Sequence, residues 1–111
     1  MPSNVGSNLV YLFQARTTDG NGTATPIPFN RAKVKAYGTW DGATVKLQSL
    51  AGNGTTWINI SQLQLDGSYV DISFTANAQL VLDGIISNET FRAVMTNDGA
   101  GTTVTIEMDN C

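Results

Sequence analysis

A chain of 111 residues, 41% hydrophobic, is one domain by length, and area scaling buries about two thirds of its unfolded surface, so a core is feasible without metals or cross-links. Charged residues are only 14% of the chain, against about 25% in an average domain, and the six Lys and Arg are scattered in a net charge of -3, which excludes a cationic stripe for nucleic acid. There is no histidine, and the single cysteine is Cys111, so the usual general base, the commonest zinc ligand, an internal disulfide framework and a multi-cysteine metal site are all missing.

The stretch MPSNVGSNLVYLFQAR has no basic region and only a short apolar run. Neither a signal peptide nor a membrane span is expected, and the mature chain is expected to begin here with a flexible arm over about residues 1–7. Residues 8–15 predict a first strand whose near-continuous apolar run implies burial on both faces or at an oligomer contact. The segment RTTDGNGTATPIPFN, about residues 16–30, carries two glycines and two prolines and predicts a long surface loop. Residues 31–37 alternate strictly, with Ala32, Val34 and Ala36 inward, and GTWDG then turns the chain into Ala43, Val45 and Leu47, predicting a hairpin between these two strands.

Asn53-Gly54 is a strong hairpin signal, because both central residues of a type I′ turn need positive φ. Residues 55–60 should therefore pair back onto 43–49, with Trp57 capping one end of the core. Further strands place Val70, Ile72 and Phe74 inward, then Ala78, Leu80 and Leu82, then Phe91, Ala93 and Met95, then Val104, Ile106 and Met108. DGIISNET holds either a loop or one helical turn capped by Ser87 or Asn88. About eight short strands with Gly, Asn or Asp at the junctions predict a single all-β domain over residues 1–111, an antiparallel β-sandwich of jelly-roll-like form.

The Asp-Gly dipeptides at Asp41, Asp66, Asp83 and Asp98 raise calcium as a ligand, but no segment has convergent oxygen ligands at calcium-loop spacing, and turn formation accounts for each of them. Asp71 with Glu89 or Glu107 is a formal carboxylate pair of the kind glycosidases use. Such pairs occur in nearly every domain, and Ser, Thr or Cys nucleophiles have no histidine to activate them, so no enzyme, catalytic residue, cofactor or metal is expected. Tyr11, Tyr37, Trp40, Trp57 and Tyr69 are the candidates for an aromatic platform, with Trp40 the one expected to be exposed. Sequons at Asn21, Asn53, Asn59 and Asn88 follow from an Asn/Thr-rich composition and carry no weight without a secretory signal.

The segments YGTWDGATVKLQ, NGTTWI and AVMTNDGAGTTVTIEM, in this order over residues 37–108, resemble small bacteriophage virion proteins of the capsid-decoration kind. Gly54, Thr56 and Trp57 also match the end of the Asp-box turn of sialidase-like propellers, but Leu50 and Gly52 stand where that box has its serine and aspartate, and one damaged box makes no propeller. The phage resemblance implies a non-enzymatic cement protein that binds the major capsid protein on the outer surface of the head and stabilises the expanded shell. A homo-oligomer, a trimer above all, is implied with it, made in the bacterial host cytoplasm and localised to the virion. The expected contact residues are Tyr11, Phe13, Tyr37 and Trp40, helped by the N-terminal arm and the 16–30 loop, while Asn53, Gly54 and Trp57 are the structural turn and core. A phage tail, connector or fibre component is the nearer alternative. A carbohydrate-binding module, with a glycan on exposed Trp40, Tyr37 or Tyr69, is the alternative from another class.

Overall fold

The computed structural model describes residues 9–86 and 88–110, and residues 1–8, with the expected N-terminal arm, together with Ser87 and Cys111 lie outside them. The strands in chain order are β1 (Val10–Arg16), β2 (Gly20–Asn21), β3 (Thr25–Ile27), β4 (Arg31–Thr39), β5 (Thr44–Leu50) and β6 (Trp57–Asn59), followed by β7 (Ser61–Leu63), β8 (Tyr69–Asp71), β9 (Ser73–Phe74), β10 (Ala78–Asp83), β11 (Glu89–Thr96) and β12 (Thr103–Asn110). One sheet runs β1-β12-β4-β10. The other runs β2-β11-β5-β6, with β3 also on β11 and β9 also on β5. All pairings are antiparallel.

Strands β2 and β3 take successive parts of one edge of β11, and β6 and β9 take successive parts of one edge of β5. Each of these pairs counts as one interrupted strand. The sandwich then has eight strands, the first, eighth, third and sixth facing the second, seventh, fourth and fifth, which is jelly-roll order.

Alternation puts apolar residues on the inner face of both sheets. Ala32, Val34, Ala36, Val104, Ile106 and Met108 from the first sheet meet Val45, Leu47, Phe91, Ala93 and Met95 from the second, all buried. In β1, Leu12 and Phe13 are both buried although adjacent, because the register with β12 slips between Tyr11 and Phe13. A β-bulge turns two successive side chains to the same side there, and this explains the apolar run that alternation alone read as two-faced burial.

Three expectations are corrected. The 16–30 segment is not strandless: β2 and β3 pair with β11 inside it. Strands β4 and β5 do not form a hairpin, because β4 lies between β12 and β10 in one sheet and β5 between β11 and β6 in the other. The link between them is an inter-sheet arch in which the Ala43 amide donates to the Trp40 carbonyl at 2.8 Å. Asp41 and Gly42 both have positive φ, 45° and 89°, so the pair of φ values that a type I′ turn needs occurs here and not at Asn53-Gly54, where only Gly54 is positive. Of the two readings of DGIISNET, the described residues agree with the one that has no helix.

The second arch, residues 97–102, is fastened to the first. The Gly101 amide donates to Asp41 Oδ2 at 2.7 Å, and the Thr102 hydroxyl donates to the Trp40 carbonyl at 2.9 Å. Asp19 accepts from the amides of Asn97 and Asp98 and ties in the β1–β2 turn. The segments TWDGA and NDGAGTT thus form one end of the sandwich, and their Asp and Thr side chains satisfy backbone groups that no strand reaches.

Candidate interaction surfaces

The expected contact residues separate. Tyr11 and Tyr37 come together on the outer face of the first sheet, each 40% exposed. Tyr11 stands opposite Glu107, and the Tyr37 hydroxyl donates to Glu107 Oε1 at 2.6 Å. That bond to a carboxylate pushes the Tyr37 phenol up to about 12. Phe13 is not a surface residue: it is buried in the core, carried inward by the β1 bulge. Trp40 is not the exposed aromatic either. It is half-buried against the core at the arch, and its indole Nε1 donates to Asn77 Oδ1, which also accepts from the Gly38 amide.

Asn53 is the hub of its turn: Oδ1 accepts from the amides of Thr55 and Thr56, and Nδ2 donates to the Thr56 hydroxyl. The turn closes through Gly54 N to Ala51 O and Ala51 N to Thr56 O, with Gly54 at φ 77°. It folds β6 back onto β5 in the expected register, Ser49 opposite Ile58 and Leu50 opposite Trp57. Trp57 does not cap the core. Val45 and Leu47 point inward, so Leu50 and its partner Trp57 point outward, and Trp57 lies on the outer face of the second sheet.

On that outer face a row of planar side chains runs across the strands. The Arg92 guanidinium lies 4.2 Å from the centre of the Trp57 ring, and its Nε donates to Gln48 Oε1 at 2.7 Å. Gln48 Nε2 donates to Asn59 Oδ1 at 2.9 Å, and Asn59 Nδ2 donates to Asp71 Oδ2 at 3.0 Å. Asp71 also accepts from the Ser61 hydroxyl at 3.0 Å and pairs with Lys46 Nζ at 3.6 Å. The Ser61 hydroxyl first, then the Asn59 amide and the Lys46 ammonium, hold the Asp71 carboxyl below its ordinary 3.8, against an opposing effect of desolvation. None of Arg92, Gln48 or Lys46 stands out in the sequence, and Asn59 does so only as a sequon, since these partners are brought together only by strand pairing.

Next to this row the chain leaves the sheet. Ile60 donates to the Leu47 carbonyl and Ile72 donates to the Ile60 carbonyl, and between these two stem residues β7 and β8 form a separate two-stranded hairpin. Every residue from Ser61 to Val70 is exposed, including Leu63, Leu65, Tyr69 and Val70, with Leu65 fully so at 109%. Val70 is therefore not the core residue that alternation with Ile72 and Phe74 implied, because the core ends at the stem. Alternation still divides the hairpin into two faces: Leu63 and Tyr69 continue the side of Ser61 and Asp71, and Gln62 and Val70 lie on the other, with Ile72.

At the open flank of the sandwich an apolar cleft of about 120 Å³ is lined by Ile60, at the stem of the hairpin, with Leu82, Ile85, Phe91 and the carboxylate-bearing Asp83 and Glu89. Exposed Ile58 stands in β6 opposite Ser49, and exposed Ile86 follows the cleft residue Ile85. The carboxylates considered as a pair are not assembled: Asp71 and Glu107 sit on outer faces of opposite sheets, and Glu89 lies at the cleft. Among the described residues no three His, Cys, Asp or Glu side chains gather to hold a metal ion. No family model, curated protein or solved structure matches the chain.

Proposed function

We propose that this is a non-enzymatic structural protein of a phage virion, a head decoration protein that binds the major capsid protein on the outer surface of the shell and stabilises the expanded form. The observation that carries this reading is the projecting hairpin with Leu65 and Val70 exposed, together with exposed Ile58 and Ile86. A two-stranded hairpin is marginal alone in water, and an apolar lip of this kind is the usual mark of a protein contact. The jelly-roll order and the low charge density of the surface agree with a building block that works by contact. Its mechanism is mass action: a partner that binds only the expanded shell lowers the free energy of that shell by RT ln(1 + [L]/Kd).

The test is cosedimentation of the purified protein with undecorated heads before and after expansion, with light scattering of the unbound protein to give its oligomeric state. Stoichiometric binding restricted to expanded heads is the expected result, lost in a Leu65→Asp/Val70→Asp double variant that keeps its circular dichroism. No binding by the folded protein to expanded heads overturns the decoration role, and binding to isolated tails would move the protein to that part of the virion.

A further inference from the structure

We propose that the outer face of the second sheet is a binding site for an uncharged oligosaccharide, held along the row Trp57, Arg92, Gln48, Asn59 and Asp71 with Tyr69 as the open aromatic platform. This inference does not depend on the decoration role.

The chemistry of the row selects the ligand. A sugar hydroxyl donates one hydrogen bond and accepts others, so it is matched by groups that present donor and acceptor side by side. The row does this repeatedly. Among the described residues Arg92 uses only Nε of its five N–H donors, and Gln48 and Asn59 each use one of their two amide N–H groups. The amide oxygens and the carboxylate of Asp71 keep spare lone pairs beside these donors. Each planar group is already oriented by its neighbour, so little side-chain entropy remains to be lost on binding.

The aromatic ends differ in role. One face of Trp57 is covered by Arg92, which makes it a support for the guanidinium. Tyr69, 70% exposed and on the same side of the hairpin as Asp71, presents its ring to stack on the C–H face of a pyranose. Neighbouring strands are about 4.8 Å apart, so β11, β5 and β6 span roughly 10 Å. That length suits a chain of sugars better than a single one.

The same observations argue against charged and protein ligands. Lys46 is paired with Asp71 and Arg92 is seated on an indole, so no convergent cations are left for a phosphate or sulfate, and the chain carries -3 overall. Of the exposed aliphatic side chains that a protein partner would cover, Ile58 and Val70 lie on the opposite side, and Leu63 alone of the paired hairpin residues shares the side of Tyr69.

The experiment is a two-dimensional amide NMR titration of the whole chain with cello-, malto-, xylo-, galacto- and chito-oligosaccharides. At least one is expected to give saturable shifts centred on Gln48, Asn59 and Asp71 at millimolar or lower concentration, insensitive to added salt. Tyr69→Ala and Gln48→Ala are each expected to weaken that binding about tenfold, and Tyr37→Ala on the other sheet to leave it unchanged. Tyr69 is exposed on the hairpin, so its variant keeps the test valid even if Gln48→Ala loosens the fold. Absence of saturable shifts with every oligosaccharide, shifts centred elsewhere, or an affinity unchanged from the parent in both Tyr69→Ala and Gln48→Ala overturns the proposal.

Discussion

Replacing Gly38 by alanine tests whether the two central strands of the first sheet pack as closely as described. Gly38 stands opposite Val104 in the β4–β12 ladder with φ at 138°, a backbone conformation open essentially to glycine alone. A Cβ at this position would press well inside contact distance on the Thr103 carbonyl oxygen and lie 3.1 Å from the Val104 Cα, and both are backbone atoms that cannot rotate away. Backbone strain of this kind costs about 1–3 kcal/mol and overpacking about 1–3 kcal/mol more, so Gly38→Ala is expected to lose about 4 kcal/mol. With a urea slope of about 2 kcal/mol/M for a domain of this size, the unfolding midpoint falls by about 2 M. Gly54→Ala is the matched control, since its φ is also positive, at 77°, but no atom lies within 4 Å of the added carbon. Only the left-handed backbone penalty of about 1–2 kcal/mol applies there. If urea unfolding shows Gly38→Ala to be no more destabilised than Gly54→Ala, the close approach of β4 and β12 is wrong.

Other consequences follow from particular side chains. Leu47→Ala, which empties a fully buried site between the sheets, is expected to cost about 2–5 kcal/mol in urea unfolding, whereas Leu65→Ala at the exposed hairpin tip should stay within about 0.5 kcal/mol of the parent. The lowered Asp71 carboxyl supplies stability that is present above its ordinary 3.8 and lost as pH falls through its still lower folded value. Urea midpoints from pH 6 to pH 2 should therefore fall less steeply for Asp71→Asn than for the parent, and parallel curves would refute the linkage. Tyr37, raised to about 12 by Glu107, should move back toward 10 in Glu107→Gln, read by ultraviolet titration of the two proteins. In native-state hydrogen exchange the amides of residues 62–70 should open locally, far faster than those of Val45 and Leu47, and equal protection would show that the hairpin is not separate from the sandwich.

Much of the core was legible in the sequence because alternation is a local property. Val34, Val45, Leu47, Phe91, Met95, Val104, Ile106 and Met108 all follow from the period of two and the turns between runs. What alternation does not encode is which sheet a strand joins. The inward side of β4 reads the same whether its neighbour is β5 or β12, and a turn such as TWDGA closes a hairpin or an inter-sheet arch with the same residues. The arch was chosen by contacts far along the chain, Gly101 and Thr102 with the first arch and Asp19 with the second, which no window of sequence contains. Tryptophan 57 was misassigned for a related reason: bulk and aromaticity suggest a core plug, but pairing with Leu50 fixes its side, and Arg92 then gives the indole a partner on the surface.

The hairpin β7–β8 connects the two proposed interactions. It is held to the sandwich at Ile60 and Ile72 and by Asp71, whose carboxylate joins the hairpin residue Ser61 to Asn59 of β6 and Lys46 of β5. Because side chains alternate along both of its strands, a single element presents Tyr69 to the polar row and Val70 to the apolar flank. A ligand covering one face would order the hairpin and reduce the conformational entropy that a partner on the other face must still remove. The two sites would then be coupled positively without any change in the fold of the sandwich. The coupling has a sign that can be read directly: a saturating oligosaccharide should strengthen binding to expanded heads, and by linkage the heads should strengthen oligosaccharide binding by the same factor. A weakening in both directions would instead mean that the two ligands compete for the same side of the hairpin.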